Sequence, residues 1–133
     1  MTNNSNETQI RKIIEDWALA VRNEDLDNIL AHHSDDILMY DVPAPLLQSK
    51  GLDKYKKTWE TYFTFSQKSG VFDIQELHIT ASDTVAFCSA IMKCKGKEAD
   101  GKDITLIFRL TVGLKKIHNQ WVITHEHHSL PSA

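Results

Sequence analysis

Apolar residues recur at helical spacing in the first part of the chain and alternate with polar residues after Gly70. In "ETQIRKIIEDWALAVRNED" most apolar side chains fall at i, i+3, i+4 and i+7, which predicts an amphipathic helix capped by Ser5 or Asn6. "DLDNILAHH" predicts a second, shorter helix. A third is predicted after Gly51, with one aromatic-rich stripe: Leu52, Tyr55, Trp59, Tyr62 and Phe63.

Five segments have the composition and alternation of β-strands. The first, "DILMYDV", precedes the third helix and ends at the prolines of "PAP", which cannot donate to a strand ladder. The others, "VFDIQELHIT", "TVAFCSAIMKC", "DITLIFRLTVGLKK" and "QWVITHEHHS", are separated by turn residues. Helices followed by hairpin-linked strands predict an α+β fold, with the helices packed on one face of a sheet.

One predicted strand indicates a partner for the other face of the sheet. Between Ile104 and Leu114 every second residue is apolar, and the opposite face carries a single charge, on Arg109. A half-exposed strand usually shows more charge on its outer face, so both faces are expected to meet protein. We therefore predict a homodimer formed through the outer face of the sheet.

Length and composition restrict the class of protein. The chain has 133 residues, 41% of them hydrophobic and 25% charged, which fits one globular domain. We predict that this domain spans residues 7–131, after a short disordered leader at residues 1–6. A net charge of −3 gives no electrostatic reason to expect nucleic acid as a partner, and no apolar run suits a membrane span.

The start of the chain and its two cysteines bear on the compartment. "MTNNSNETQ" is polar and lacks the basic and apolar regions of a secretory signal. Cys88 and Cys94 lie six residues apart on one predicted strand, too far from each other for a disulfide within that strand. Reduced core cysteines are typical of a cytoplasmic protein, which is the expected localisation.

The densest group of candidate functional residues is "HEHH" near the end of the chain. Because strand side chains alternate between faces, His125 and His127 share a side with Trp121, and Glu126 and His128 share the other. We expect the first two to face inward and Glu126 to meet His128 or an outer basic group. An H-x-H pair can begin a zinc or iron site but needs a third ligand, for which Asp41 is the only obvious candidate.

The order of elements resembles the cone-shaped fold of the nuclear transport factor 2-like superfamily, in particular its SnoaL-like branch of polyketide cyclases and relatives. The resemblance rests on "EDLDNILAHHSDDILMYDVPAP", "GLDKYKKTWETYF" and the final W-x-I-x-H-x-H-x-S-x-P, in that order along one domain. It implies three N-terminal helices packed on a curved antiparallel or mixed sheet that encloses an apolar pocket. It also agrees with dimerisation through the outer sheet face.

The resemblance further implies roles for single residues. Asp41 falls on the position of the catalytic aspartate of ketosteroid isomerases, where an apolar pocket favours a general base. Trp17 falls on the position of their oxyanion tyrosine, and no strand residue matches their second oxyanion donor. Arg109 and Thr111 resemble the polar pocket residues of the calcium/calmodulin-dependent kinase II association domain. His125 and His127 resemble the H-x-H-x-S segment that forms a pocket wall in the same domain.

Each of these candidates has an alternative structural interpretation. Asp41 can cap the turn that follows it, Arg109 can pair with a carboxylate, and the histidines can be hydrogen-bonded core residues. Trp17 and the aromatic stripe of Trp59, Tyr62 and Phe63 can be plain core instead of ligand-binding residues.

The sequence thus predicts a protein that binds a small, mostly apolar ligand with a polar or anionic end. Proton-transfer chemistry of the isomerase, cyclase or dehydratase kind is the expected activity, without a cofactor. Asp41 would be the general base or a polar anchor, and His125, His127 and Arg109 would hold a developing or fixed negative charge. A non-catalytic ligand-binding or dimerisation module is the first alternative. A metal-binding protein using His125 and His127 is the second.

Overall fold

A computed structural model of the chain describes residues 2–43 and 47–131, with side chains from Ser5 onward. The described residues form three helices and six strands. The helices are α1 (Thr2–Arg22), α2 (Leu26–Leu30) and α3 (Leu52–Ser66); the strands are β1 (His33–Tyr40), β2 (Ser49–Lys50), β3 (Phe72–Ala81), β4 (Val85–Lys97), β5 (Asp103–Ile117) and β6 (Gln120–Ser129).

The strands form one mixed sheet in the order β2-β1-β6-β5-β4-β3. β1 runs parallel to β6, and every other neighbouring pair is antiparallel. The predicted α+β fold with helices on a mixed sheet is confirmed. The arrangement of the helices differs from the expectation, because β1 and β2 separate α2 from α3 and the three helices are not all N-terminal.

The hydrophobic core lies between the helices and the inner face of the sheet. α1 packs on β3, and α3 packs on β1 and β4. Alternate residues of β5 point toward this core, and four of them are buried: Phe108, Leu110, Val112 and Leu114. The wholly apolar face of β5 is therefore the inner one, although Arg109 and Thr111 of its other face were predicted to line the pocket. Cys88 and Cys94 are buried and unpaired, as expected.

The first helix begins earlier than the sequence indicated. α1 starts at Thr2, so Ser5 and Asn6 lie inside the helix instead of capping it. Asn6 is buried, and its Oδ1 accepts hydrogen bonds from Lys116 Nζ at 2.7 Å and Trp121 Nε1 at 3.2 Å. These bonds hold Asn6, and with it the beginning of α1, against the sheet. None of the described helices combines the length and apolar character of a membrane span.

A β-bulge in β6 reverses the predicted orientation of the C-terminal histidines. Gly113 of β5 pairs with His125, but the next residue, Leu114, pairs with Ile123, which leaves Thr124 without a partner. One extra residue exchanges the two faces for everything that follows it. Ile123 points into the core as predicted, yet beyond the bulge Glu126 and His128 are the buried residues.

Candidate active site

A cavity of about 330 Å³ opens between α3 and the inner face of the sheet. Its wall is predominantly aromatic and aliphatic, with side chains from α3, β3 and β5: Trp59, Tyr62, Phe65, Phe72, Leu106 and Phe108. Both α3 and β5 present these residues at the spacing of their own periodicity, so the cavity is a gap in the core between the two elements. It has the size and character of a small-molecule site.

Few polar groups line the cavity, and four of them are titratable: Asp41, Tyr62, Cys94 and His128. Burial raises the pKa of the Cys94 thiol, and burial with the neighbouring Cys94 raises that of the Tyr62 phenol, so both stay protonated near neutral pH. Asp41 and His128 are therefore the lining groups that can serve as acid or base in the cavity.

His128 forms a hydrogen-bonded pair with Glu126 on the inner face of β6. Its Nε2 lies 2.9 Å from Oε1 of Glu126, and both residues are nearly inaccessible, at 6% and 1% exposure. The imidazole stacks on Phe108, with ring centroids 5.6 Å apart and an interplanar angle of 9°. Among the described residues Nδ1 of His128 has no hydrogen-bond partner, so it is the ring nitrogen available to a ligand.

Glu126 is in turn the centre of a buried polar cluster that joins four elements. Its Oε2 lies 2.8 Å from Nε2 of His33 on β1 and accepts a hydrogen bond from the Tyr55 phenol of α3 at 2.7 Å. The Tyr55 oxygen accepts the indole N–H of Trp17, on α1, at 3.1 Å. The helical stripe put Tyr55 in the core, and Trp17 was predicted to bind ligand or to be core. Trp17 does not line the cavity, and here the polar atoms of both residues fix the position of a carboxylate.

The surroundings of Glu126 keep it ionised despite its depth. Burial alone raises the pKa of a carboxyl group, but hydrogen bonds from His128 and His33 and their charges outweigh it and lower the pKa to about 2. The Tyr55 phenol, by contrast, is protonated, because burial and the adjacent Glu126 raise its pKa well above 10.0. An ionised Glu126 can orient His128 and stabilise a positive charge on it.

Of the residues predicted to face a ligand, Asp41, Trp59 and Tyr62 line the cavity. The Asp41 carboxylate also accepts the backbone N–H of Val42 at 2.8 Å, so it serves the turn as well. Phe63 is half-buried and packs against the core, and Phe65 occupies the cavity wall instead.

Four other predicted site residues lie on the opposite face of the sheet. His125 and His127 contact the outward Tyr40 ring, with centroids 5.1 and 5.3 Å away. Arg109 and Thr111 are exposed beside them on β5. The expected inward wall is therefore wrong, because the bulge at Thr124 and the outward parity of β5 place all four residues outside.

Two of these outer residues, Arg109 and His125, form hydrogen bonds that bear on their alternative structural roles. Arg109 does not pair with Asp41; its guanidinium donates to Ser129 Oγ and the Leu130 carbonyl, both at 3.1 Å. His125 Nδ1 donates to the Leu38 carbonyl at 2.7 Å. Within the described ranges no three His, Cys, Asp or Glu side chains are grouped as a metal site would require.

With this geometry established, comparison with known proteins places the chain in a family. Residues 10–133 match the SnoaL-like domain family. The chain is a SnoaL-like protein. The resemblance inferred from the sequence is thereby confirmed. No curated protein matches it in sequence.

Solved structures support the same fold. A protein of unknown function with a nuclear transport factor 2-like fold, from Pseudomonas putida, is 29% identical with a TM-score of 0.82, over 100% of this chain and 92% of that one. A putative scytalone dehydratase from Novosphingobium aromaticivorans is 19% identical (TM-score 0.82, 98% and 87% covered). A ketosteroid isomerase-like protein from Erwinia carotovora is 16% identical (TM-score 0.75, 95% and 96% covered).

The comparisons do not identify the acid–base residues of this SnoaL-like chain, and the candidates are inferred from the geometry of its cavity. Sequence reasoning paired Glu126 with His128 but put them on the outer face, and it gave His33 no role. The alternation of β6 was a usable signal for the pair. No spacing in the sequence links His33 to residues 93 positions later.

Proposed function

We propose that this SnoaL-like protein binds a small, mostly apolar molecule in the inner cavity and catalyses a proton transfer on it, with His128 as the acid–base group. The supporting observation is the His128–Glu126 hydrogen bond of 2.9 Å in the wall of an otherwise apolar cavity. A carboxylate that accepts Nε2–H holds the imidazole in one tautomer and stabilises the imidazolium that forms.

The direction of proton transfer follows from this tautomer. With the proton on Nε2 pointing at Glu126, the lone pair of Nδ1 is free to accept a proton from a ligand. Buried aromatic neighbours exclude water from the imidazole, which strengthens its interaction with Glu126. A positioned histidine base of this kind contributes about 10²–10⁴ in rate.

Asp41 remains the second candidate base, and it is more exposed to solvent than His128: Asp41 is half-buried, whereas His128 is buried. Asp41 lies just beyond β1 among Val42 and Pro43, which line the cavity with it and are exposed. His128 stacks on Phe108, and the parallel register that pairs Tyr40 with His127 brings Asp41 and His128, the residues that follow them, side by side. We assign Asp41 to the polar end of the ligand, where its carboxylate would accept a hydrogen bond from a hydroxyl or amine. We assign His128 to the carbon from which the proton is removed.

A general probe of proton abstraction tests this assignment without knowledge of the natural ligand. The probe is 5-nitrobenzisoxazole, a flat aromatic whose ring opens to a coloured phenolate when a base removes its C–H proton. We expect His128→Gln to lower kcat/KM for this reaction about 100-fold or more, as loss of a general base does. His32→Gln is the matched control, because His32 is exposed, precedes β1 and does not line the cavity, so the rate should be unchanged.

The other outcomes distinguish the alternatives. A large loss in Asp41→Asn with none in His128→Gln would reassign the base to Asp41. If the wild-type protein reacts no faster than free imidazole, the catalytic proposal is wrong. If quenching of tryptophan fluorescence shows that the probe still binds, the result would favour a non-catalytic binding module that uses the same cavity.

We further propose that the protein is a homodimer joined through the outer face of the sheet. Four large apolar residues are exposed on this face, on β4 and β5: Val85 (54%), Phe87 (53%), Ile107 (48%) and Ile117 (41%). Apolar side chains gathered on one sheet face are typical of an interaction surface. A second copy would bury them and the Tyr40, His125 and His127 cluster, which would give these predicted site residues a role in assembly.

A further inference from the structure

The buried cluster around Glu126 holds a carboxyl group, a phenol and an imidazole in mutual contact, so its net charge depends on where its protons lie. His33 Nε2, Glu126 Oε2 and the Tyr55 hydroxyl form a triangle with sides of 2.8, 2.7 and 2.9 Å. The other ring nitrogen of His33, Nδ1, lies 2.8 Å from the Ala31 carbonyl oxygen. Both nitrogens of His33 therefore contact oxygen atoms at hydrogen-bond distance.

Counting protons assigns the charge in this triangle. The Ala31 carbonyl can only accept, so Nδ1 of His33 carries a proton. The Tyr55 oxygen accepts from Trp17 and has one proton of its own, which it donates to Glu126. The 2.8 Å contact between His33 Nε2 and Glu126 Oε2 then needs a second proton, either on the imidazole or on the carboxyl.

The carboxyl group is the less suitable place for that proton. Oε1 of Glu126 receives His128 Nε2–H, and Oε2 receives the Tyr55 O–H, so donors converge on both oxygens of one carboxylate. Hydrogen bonds to the charged form favour ionisation. The proton therefore resides on the imidazole, in a buried ion pair whose remaining donors and acceptors are satisfied.

We propose that His33 is held as an imidazolium in the resting protein, and that this buried cation keeps His128 neutral by compensating the charge of Glu126. His33 is thus a positioning residue, since it does not line the cavity. The groups that face Glu126 are His33 from β1, Tyr55 from α3 and His128 from β6. The titratable groups that share the cavity with His128 are Asp41, Tyr62 and Cys94.

Loss of the His33 charge would change the protonation of His128 whether or not a substrate is bound. Without His33, the full negative charge of Glu126 would face His128 alone at 2.9 Å. An uncompensated neighbouring carboxylate favours the protonated imidazole. His128 would then carry protons on both nitrogens near neutral pH and would have no lone pair with which to act as a base.

The protonation state can be measured directly by nuclear magnetic resonance of the ¹⁵N-labelled protein. Long-range ¹H–¹⁵N spectra distinguish a protonated ring nitrogen from a bare one, and single His→Gln variants assign the signals. In the wild-type protein we expect both nitrogens of His33 to remain protonated above neutral pH, while His128 shows Nε2–H and a bare Nδ1. A bare nitrogen on His33 at neutral pH would overturn the proposal whatever the variants do.

The His33→Gln variant tests the link to His128, with His32→Gln as the matched control. His32 is the neighbouring histidine and is exposed, so its loss should leave the His128 signals unchanged. In His33→Gln we expect the pH at which Nδ1 of His128 loses its proton to rise. No rise in a variant that still gives a dispersed, folded spectrum would contradict the proposal.

The catalytic part of this inference rests on the proposed function, and the two can fail separately. If His128 is the base, the pH profile of kcat/KM for 5-nitrobenzisoxazole should move upward in His33→Gln along with the Nδ1 signal. A shifted signal with an unshifted profile would preserve the ion pair and remove His128 as the base. An unshifted signal with a functional His128 would remove the role of His33 alone.

Discussion

The ring of Phe65 lies directly against the backbone of Gly96. A Cβ atom at Gly96 would overlap three carbons of that ring, so β4 needs glycine here to let α3 approach. Phe65 is also part of the cavity wall, whereas Gly96 is buried beneath it. The size of the cavity is thus set in part by a residue that does not line it.

Replacing Gly96 with alanine should push Phe65 toward the cavity and destabilise the fold. Overpacking of this kind costs about 1–3 kcal/mol of the free energy of unfolding, measurable by urea denaturation. Affinity for 5-nitrobenzisoxazole should fall, because the displaced ring occupies cavity volume. The double variant Gly96→Ala with Phe65→Ala should show less than the sum of the two single effects, and strict additivity would contradict the steric explanation.

Acid should destabilise the protein through Glu126. Its pKa is about 2 in the folded protein against 4.5 ordinarily, so the unfolded chain binds this proton more readily. The stabilisation is complete above pH 4.5 and is lost as the pH falls toward 2, by about 3 kcal/mol at roughly 1.4 kcal/mol per pH unit. Circular dichroism during urea denaturation at each pH measures this loss.

The Glu126→Gln variant should remove much of that acid dependence and be less stable at neutral pH, because the cationic His33 would lose its counter-charge. Glu60→Gln is the control, since Glu60 is exposed on α3. A Glu126→Gln protein with the acid dependence of the wild type would show that other carboxylates dominate the transition.

Removal of the Tyr55 hydroxyl should be costly. In Tyr55→Phe the indole N–H of Trp17 loses its acceptor and Glu126 loses a donor, all in the core. An unsatisfied buried group costs about 1–3 kcal/mol in the free energy of unfolding. Tyr40→Phe is a matched control: no described residue hydrogen-bonds its hydroxyl, so a change within about 0.5 kcal/mol is expected. Equal costs in the two variants would contradict the cluster's role.

The proposed dimer can be tested with two residues of equal exposure. Ile107 is 48% exposed on the outer sheet face and Leu19 is 47% exposed on α1. Ile107→Glu should give monomers, because it would bury a charge in the interface, while Leu19→Glu should not. Sedimentation equilibrium measures the mass; a monomeric wild type, or a dimer unaffected by Ile107→Glu, would refute the proposed interface.

The elements of this fold were predictable because periodicity and turn chemistry are local properties. α1, α3 and the long strands each carry their pattern within one segment, and the order of helices and strands indicated the SnoaL-like fold. β2 was missed because a strand of two residues has no period to detect. The start of α1 was missed because Asn6 is stabilised by Lys116 and Trp121, which lie more than a hundred residues away.

The candidate site was only half predictable for a related reason. Asp41, Trp59 and Tyr62, which the resemblance and the helical stripe assigned to a ligand site, line the cavity. His125 and His127 were assigned to the wrong face because alternation carries no information about where a strand gains an extra residue. The bulge depends on pairing with Gly113, which is a property of two strands together.

The bulge also determines which histidines of β6 face the cavity. Beyond Thr124, β6 carries histidines on both of its faces, so either register would offer imidazole to the cavity. Only the observed register also presents Glu126 inside and so provides a counter-charge. Deleting Thr124 would turn His125 and His127 toward the cavity in place of His128 and its hydrogen-bonded Glu126, without altering any residue of "HEHHS". Relatives with the same motif can therefore differ in chemistry through the length of the backbone alone.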